Sequence, residues 1–211
     1  MDWARLAAFA VVALVVIAIP GPSVLFVVSR AVALGRRAAL GTVVGNSLGE
    51  LLQVLVVALG MGPLLERSAI ALTVVKLVGA AYLGYLGVST WRGRRRPALA
   101  PQAVSPPRSR AAILRDGLVV GASNPKSMVF FAAVLPEFVV RGQGQAPFQF
   151  LVLGLVWVAI ALLSDSVWAV AAGTARGWLA RRPRQLEHAQ GASAVVMVSL
   201  AVGLAATSRA S

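Results

Sequence analysis

Six apolar runs, at roughly 4–28, 38–62, 68–91, 115–136, 147–173 and 188–208, dominate this sequence, and each approaches the roughly 20 residues that a helix needs to cross a bilayer. In hydrocarbon every backbone N–H and C=O must find a partner inside the protein, so such runs can only be helices. The expected fold is therefore an all-α integral membrane protein with six transmembrane helices. Composition agrees, with 58% hydrophobic and 13% charged residues and a mean hydropathy of +0.81, far from the balance of a soluble domain. The fourth run is interrupted by Asn124, Pro125 and Lys126, which leaves open a five-span reading with that segment re-entrant. The first run outlasts a secretory signal core and follows Asp2 and a single Arg5, so it is expected to be a retained helix.

Two prolines lie inside these runs, Pro20 within Ile19-Pro20-Gly21-Pro22-Ser23 and Pro125 within Ser123-Asn124-Pro125-Lys126-Ser127. A proline removes one helical hydrogen bond and frees the carbonyl four residues earlier, here those of Val16, Ala18 (because of Pro22) and Gly121. Broken backbone at membrane depth is tolerated where it is buried in protein or lines a cavity. The two breaks occupy matching places: Ser23 and Phe26 follow the first, Ser127 and Phe130 the second. Between them a linker over 92–110, with Pro97, Pro101, Pro106 and Pro107 among arginines, divides a single membrane domain into a first repeat (1–91) and a second (111–211). Three helices per half is odd. The halves must then enter the membrane in opposite senses, as inverted repeats with helices one and four broken at proline.

The formal charge of +13 is explained by its distribution. Fourteen arginines fall between helices one and two (Arg30, Arg36, Arg37), three and four (from Arg92 to Arg115) and five and six (Arg176, Arg181, Arg182, Arg184). The alternate loops carry only Arg67 and Arg141, accompanied by Glu66 and Glu137. By the positive-inside rule the three basic loops face the cytoplasm and both termini face outward. Anionic lipid headgroups are a sufficient partner for such loops, and no nucleic acid is needed.

Gly41, Gly45 and Gly49 recur every four residues in the second helix, and Ala80, Gly84 and Gly87 mark a similar face in the third. Such faces let backbones approach closely, within one chain or between copies in a homo-oligomer. Glu50 and Asp165 lie in the middle of the second and fifth helices, where a charge costs at least about 2.5 kcal/mol. Each needs a partner, a proton or a cavity. Asn46 and Gln53 extend Glu50's polar stripe along the helix, and Ser164 and Ser166 flank Asp165 as candidate hydrogen-bond donors. Lys126 can pair with Asp165 or Glu50, or receive a carboxylate, while Lys76 is expected to snorkel to the interface. Asn124 offers an amide to backbone groups freed at the break. Tyr82, Tyr85, Phe130, Phe131, Trp157 and Trp168 are expected as packing or interfacial aromatics. With no cysteine and one histidine, His188, no metal or cofactor site is expected; no nucleophile and base set or phosphate loop points to an enzyme.

Pro20-Gly21-Pro22, the glycine series ending beside Glu50, the third-helix stretch Lys76 to Gly87, and Gly121-Ala122-Ser123-Asn124-Pro125-Lys126 running on to Leu135-Pro136-Glu137-Phe138 together resemble the LysE/RhtB family of amino-acid exporters. The resemblance implies export of amino acids or close analogues from the cytoplasm across a bacterial inner membrane, by exchange with protons. It also implies a substrate and proton site among Pro20, Gly21, Pro22, Asn46, Glu50, Asn124, Pro125, Lys126 and Asp165. One position departs: the family usually has asparagine before Pro-Gly-Pro, and here it is Ile19, which removes an amide from the first half and bears on which solute is carried. Two other readings stay open, a membrane scaffold or assembly protein and an exporter of a solute other than an amino acid.

Overall fold

The computed structural model describes residues 2–67, 109–140 and 146–175, with single positions between 73 and 92 and at 195, 198 and 202. Lys76, Gly79, Ala80, Tyr82, Gly84, Gly87, His188, most of the 92–110 linker and the arginines at 141, 176, 181, 182 and 184 lie outside the described residues.

Helix α1 (Trp3–Ala18) starts behind Asp2, whose carboxylate accepts from the Arg5 N–H at 2.8 Å and so satisfies a first-turn donor. It stops at Ile19, where the backbone turns extended, and α2 (Pro22–Leu34) begins with a proline in its first turn, where the missing N–H is harmless. The two axes meet at 52°. Gly35 ends α2 with φ of 86°, a conformation that costs other residues a steric penalty, and α3 (Arg36–Arg67) turns straight back. Helix α4 (Arg110–Ala122) is capped by Ser109, which accepts from the Ala112 N–H at 3.2 Å. The chain then breaks at Ser123 and Asn124 and restarts as α5 (Pro125–Val129).

Beyond α5 the coil widens into a π turn over Phe130–Val134 and narrows into a 3₁₀ turn over Leu135–Phe138. Pro136 accounts for the change. It has no N–H to give the Ala132 carbonyl and its ring crowds that group, so the preceding turn opens and the Leu135 N–H reaches Phe130 O instead. Helix α6 (Ala146–Thr174) is the last long element among the described residues. Three stretches, 36–60, 110–138 and 146–174, are long and apolar enough to cross a membrane, and the bent α1–α2 pair makes a fourth.

Helix α3 lies between α4 and α6 and packs extensively on both. Its contact with α4 is glycine on glycine. A Cβ at Gly45 would strike the backbone of Leu114 and Leu118, and one at Gly117 or Gly121 the backbone of Thr42 or Asn46. The expected small-residue face of α3 therefore has a matching face, Gly117 and Gly121, on α4. On its other flank α3 presents Val54, whose side chain fills the space left by Gly154 of α6.

The apolar interior is divided. One cluster joins α1, the far half of α3, the turns after α5 and the near half of α6, and holds Phe9, Phe130, Phe131, Phe150 and Trp157. The other joins α2, the start of α3 and the end of α6, through Val24, Val27, Val28, Val43 and Ala169. Outward faces are also apolar: Val56, Leu59, Leu163 and Val167 are 68 to 75% exposed. Large apolar side chains facing outward over much of the helical surface, with polar groups buried among them, match a chain immersed in lipid.

Candidate functional site

Between the two apolar clusters runs a buried polar layer: Ser23 from α2, Asn46, Glu50 and Gln53 from α3, Asn124, Lys126 and Ser127 from the break after α4, and Asp165 from α6, each at most 7% exposed. Asn46, Glu50 and Gln53 sit three and four residues apart, so one helix face carries all three. The two chain breaks bring in the other side of the layer.

Asn124 organises the second break. Its Oδ1 accepts from the Lys126 N–H at 3.2 Å and caps α5, while its Nδ2 donates to Ser23 Oγ at 3.2 Å and to Glu50 Oε1 at 3.3 Å. One amide thus ties both breaks to α3. The carbonyls freed at the end of α4 are served by a different residue. Gln53 Nε2 lies 3.1, 2.9 and 3.2 Å from the carbonyl oxygens of Gly121, Ala122 and Asn124, and Gln53 Oε1 accepts from Ser127 Oγ at 2.8 Å. The Gly121 carbonyl, freed by Pro125, accepts from this amide and from the Asn124 N–H at 3.2 Å. The Gly121 and Asn124 carbonyls keep backbone donors, from Asn124 and Met128, so loss of Gln53 falls chiefly on the Ala122 carbonyl, and a carbonyl stripped of its donor costs about 1–3 kcal/mol. Gln53→Leu is accordingly expected to lower the melting temperature in detergent, by several degrees if about 2 kcal/mol is lost; Gln53→Glu, which removes the donor but keeps the shape, should do the same.

Glu50 accepts at both oxygens, from Asn124 and from the indole N–H of Trp157 at 3.1 Å. Trp157, expected as a packing or belt aromatic, is instead a polar partner whose ring also lies 4.2 Å from that of Phe130. Phe130 and Phe131 pack as expected, edge to face with Trp157 in the case of Phe131. Asp165 accepts from Asn46 Nδ2 at 3.1 Å through Oδ2. The flanking Ser166 does not share in this: its hydroxyl donates to the Leu162 carbonyl of its own helix at 2.6 Å, because a serine at this place finds the carbonyl one turn back more readily than a side chain on the same helix.

Lys126 crosses from α5 to the first break and donates its Nζ to the Ile19 carbonyl at 2.7 Å. A cation at the C-terminal end of α1 meets the negative end of the helix dipole. Gly21 makes room for this crossing, since a Cβ there would lie 3.2 Å from Lys126 Cδ. The two carboxyls of Glu50 and Asp165 act on the ammonium electrostatically without bonding it directly. The first break lacks a comparable cap: Gly21 precedes α2 with no side-chain bond to its first turn. Pro20 and Pro22 lie at that break and Pro125 at the second, and Asn46, Glu50, Asn124, Lys126 and Asp165, singled out from the sequence, share one buried layer.

Two oxygens in this part of α3 are buried and unpartnered, Asn46 Oδ1 and Ser47 Oγ. Asn46 Oδ1 sits on the same amide that engages Asp165, so an acceptor and a carboxylate stand side by side, an arrangement suited to an ammonium group.

One sequence expectation fails outright. Arg30, placed in the first basic loop, lies in α2, is 6% exposed and pairs with Asp116 of α4 at 2.7 Å. The helix runs on past the apolar stretch because this ion pair and the ring of Phe26, 4.8 Å from the guanidinium, give the charge a place inside.

The chain is 30% identical over 168 residues to a homoserine/homoserine lactone efflux protein of Salmonella typhi, covering 80% of each chain. It is 33% identical over 197 residues to a membrane protein of Pseudomonas aeruginosa, covering 90% of this chain and 89% of the other. To the threonine efflux protein of Escherichia coli (strain K12) it is 30% identical over 136 residues, 62% of this chain and 64% of that one. No solved structure is significantly similar. The model of the LysE type translocators matches residues 14–208, nearly the whole length, and the chain belongs to that family of membrane proteins.

Proposed function

We propose that this protein exports small amino acids or close analogues from the cytoplasm by exchange with protons, through alternating access to the polar layer between its two halves. The observation that carries this reading is the layer itself: two carboxyls, an ammonium and three amides held among helices whose outer faces are apolar. A structural protein has no use for such groups, whose burial is costly unless they bind something. The family and the relatives named for homoserine and threonine efflux support amino acids as the substrate class.

In this proposal Asn46 and Asp165 receive the substrate ammonium, and Lys126, together with the uncapped start of α2 after Pro20, Gly21 and Pro22, receives its carboxylate. Glu50 and Asp165 alternate between holding a proton and holding the substrate. Asn124 and Pro125 transmit the change, because the amide that caps α5 also bonds Glu50 and Ser23. The chain makes six spans as inverted three-helix repeats, oriented in a bacterial inner membrane with the basic segments in the cytoplasm. The aromatic cluster of Phe9, Phe130, Phe131 and Trp157 then seals the outer side, and α2 with α4 forms the inner mouth.

Uptake of labelled amino acids into inside-out vesicles, with and without an imposed proton gradient, tests the proposal. Accumulation of some amino acids that collapses with the gradient is expected. Equal counts in vesicles with and without the protein, across the whole set, would overturn it.

A further inference from the structure

We infer that Arg30 is a docking point for the substrate carboxylate at the inner mouth, and that Asp116 occupies it as an internal stand-in until substrate arrives. The inference rests on the exporter reading and on its orientation, but on a site separate from the central layer.

Arg30 is 6% exposed yet poorly satisfied. Of its guanidinium nitrogens only Nη2 is bonded, to Asp116 Oδ2, while Nε and Nη1 are buried without a partner. A guanidinium presents five N–H donors in a fork that fits a carboxylate two at a time, so a single bond to one oxygen uses little of what it offers. The guanidinium lies over the Phe26 ring, its carbon 4.8 Å from the ring centre. The occupying carboxylate is less firmly placed. The Asp116 side chain is 32% exposed, and its other oxygen is 3.7 Å from the exposed Arg115. Helix α2 packs chiefly on α3 and α6, so the ion pair is a bridge from α2 to α4 across the inner ends of the two breaks. A planar carboxylate from the cytoplasm can take the vacant donors, release Asp116 to solvent and Arg115, and free α2 from α4. Binding and opening of the inner mouth are then the same exchange of one carboxylate for another.

The test uses the full chain in inside-out vesicles and whichever amino acid the unaltered protein accumulates, with that amino acid's amide as a competitor lacking the carboxylate. Arg30→Gln is expected to raise KM for the amino acid roughly ten-fold, and Arg30→Lys, which keeps the charge but not the fork, by a smaller factor. Asp116→Asn should lower KM several-fold, the opposite sign, which loss of folded protein does not produce. Inhibition by the amide, which gains or loses only the opening of the mouth, should change less than KM for the amino acid in all three. Flux with unaltered KM in all three variants would overturn the inference, as would equal changes for the amino acid and its amide, the signature of a purely structural latch. Absence of transport by the unaltered protein would instead overturn the exporter reading on which it rests.

Discussion

Asp165→Asn is expected to reduce gradient-driven amino-acid accumulation to background, and exchange of labelled for unlabelled substrate to fall with it because Asp165 also receives the substrate ammonium, while the protein stays folded. Asp165 accepts a hydrogen bond from Asn46, and an asparagine can accept the same bond through its remaining oxygen, so little packing or bonding is lost. What disappears is the charge that receives the ammonium and, with it, the group that can take and release a proton. Glu50→Gln should have the same effect on flux at a larger structural cost. Glu50 accepts one bond at each oxygen, from Asn124 and Trp157, and a glutamine must turn an NH2 toward one of those donors. A loss of about 1 kcal/mol or more is expected from that mismatch, visible as a lower melting temperature. Accumulation and exchange measured side by side in reconstituted vesicles distinguish coupling from binding. Normal gradient-driven accumulation by both variants would contradict the proposed mechanism.

The second large effect is expected at the α3–α4 contact. Gly49→Ala places a methyl against the Leu118 carbonyl and the Ala122 N–H, backbone atoms that cannot swing aside as a side chain can. Gly121→Ala does the same against Asn46. Overpacking of this kind costs about 1–3 kcal/mol, and the helices must separate to relieve it, which would also pull Gln53 from the carbonyls at the end of α4. Gly60→Ala is the matched control. It lies in the same helix with nothing within 4 Å of an added Cβ, so it should be neutral or stabilising by up to about 1 kcal/mol. Thermal unfolding in detergent of the three variants gives the comparison; equal stability of all three would mean that the glycine contact is not the close approach it is here.

Much of this protein follows from local features of the chain. Apolar length determined which segments can cross a membrane, because hydrocarbon leaves the backbone no partner but itself. Glu50, Asp165, Asn124 and Lys126 could be singled out because a polar group inside an apolar run is costly wherever it points. The spacing of Gly41, Gly45 and Gly49 showed a close-packing face, although not that Gly117 and Gly121 form its other side.

Partner assignment needed the tertiary structure. The carbonyls freed by Pro125 take Gln53, 68 residues before the first of them, and the Lys126 ammonium takes the Ile19 carbonyl rather than a carboxylate. Trp157 looked like any membrane aromatic until its N–H was found on Glu50, and Arg30 like any loop arginine until it met Asp116. Sequence periodicity tells which face of a helix a residue occupies, since that depends on 3.6 residues per turn alone. A hydrogen bond closes over about 3 Å, and which donor reaches which acceptor depends on how helices far apart in the chain slide and turn against one another.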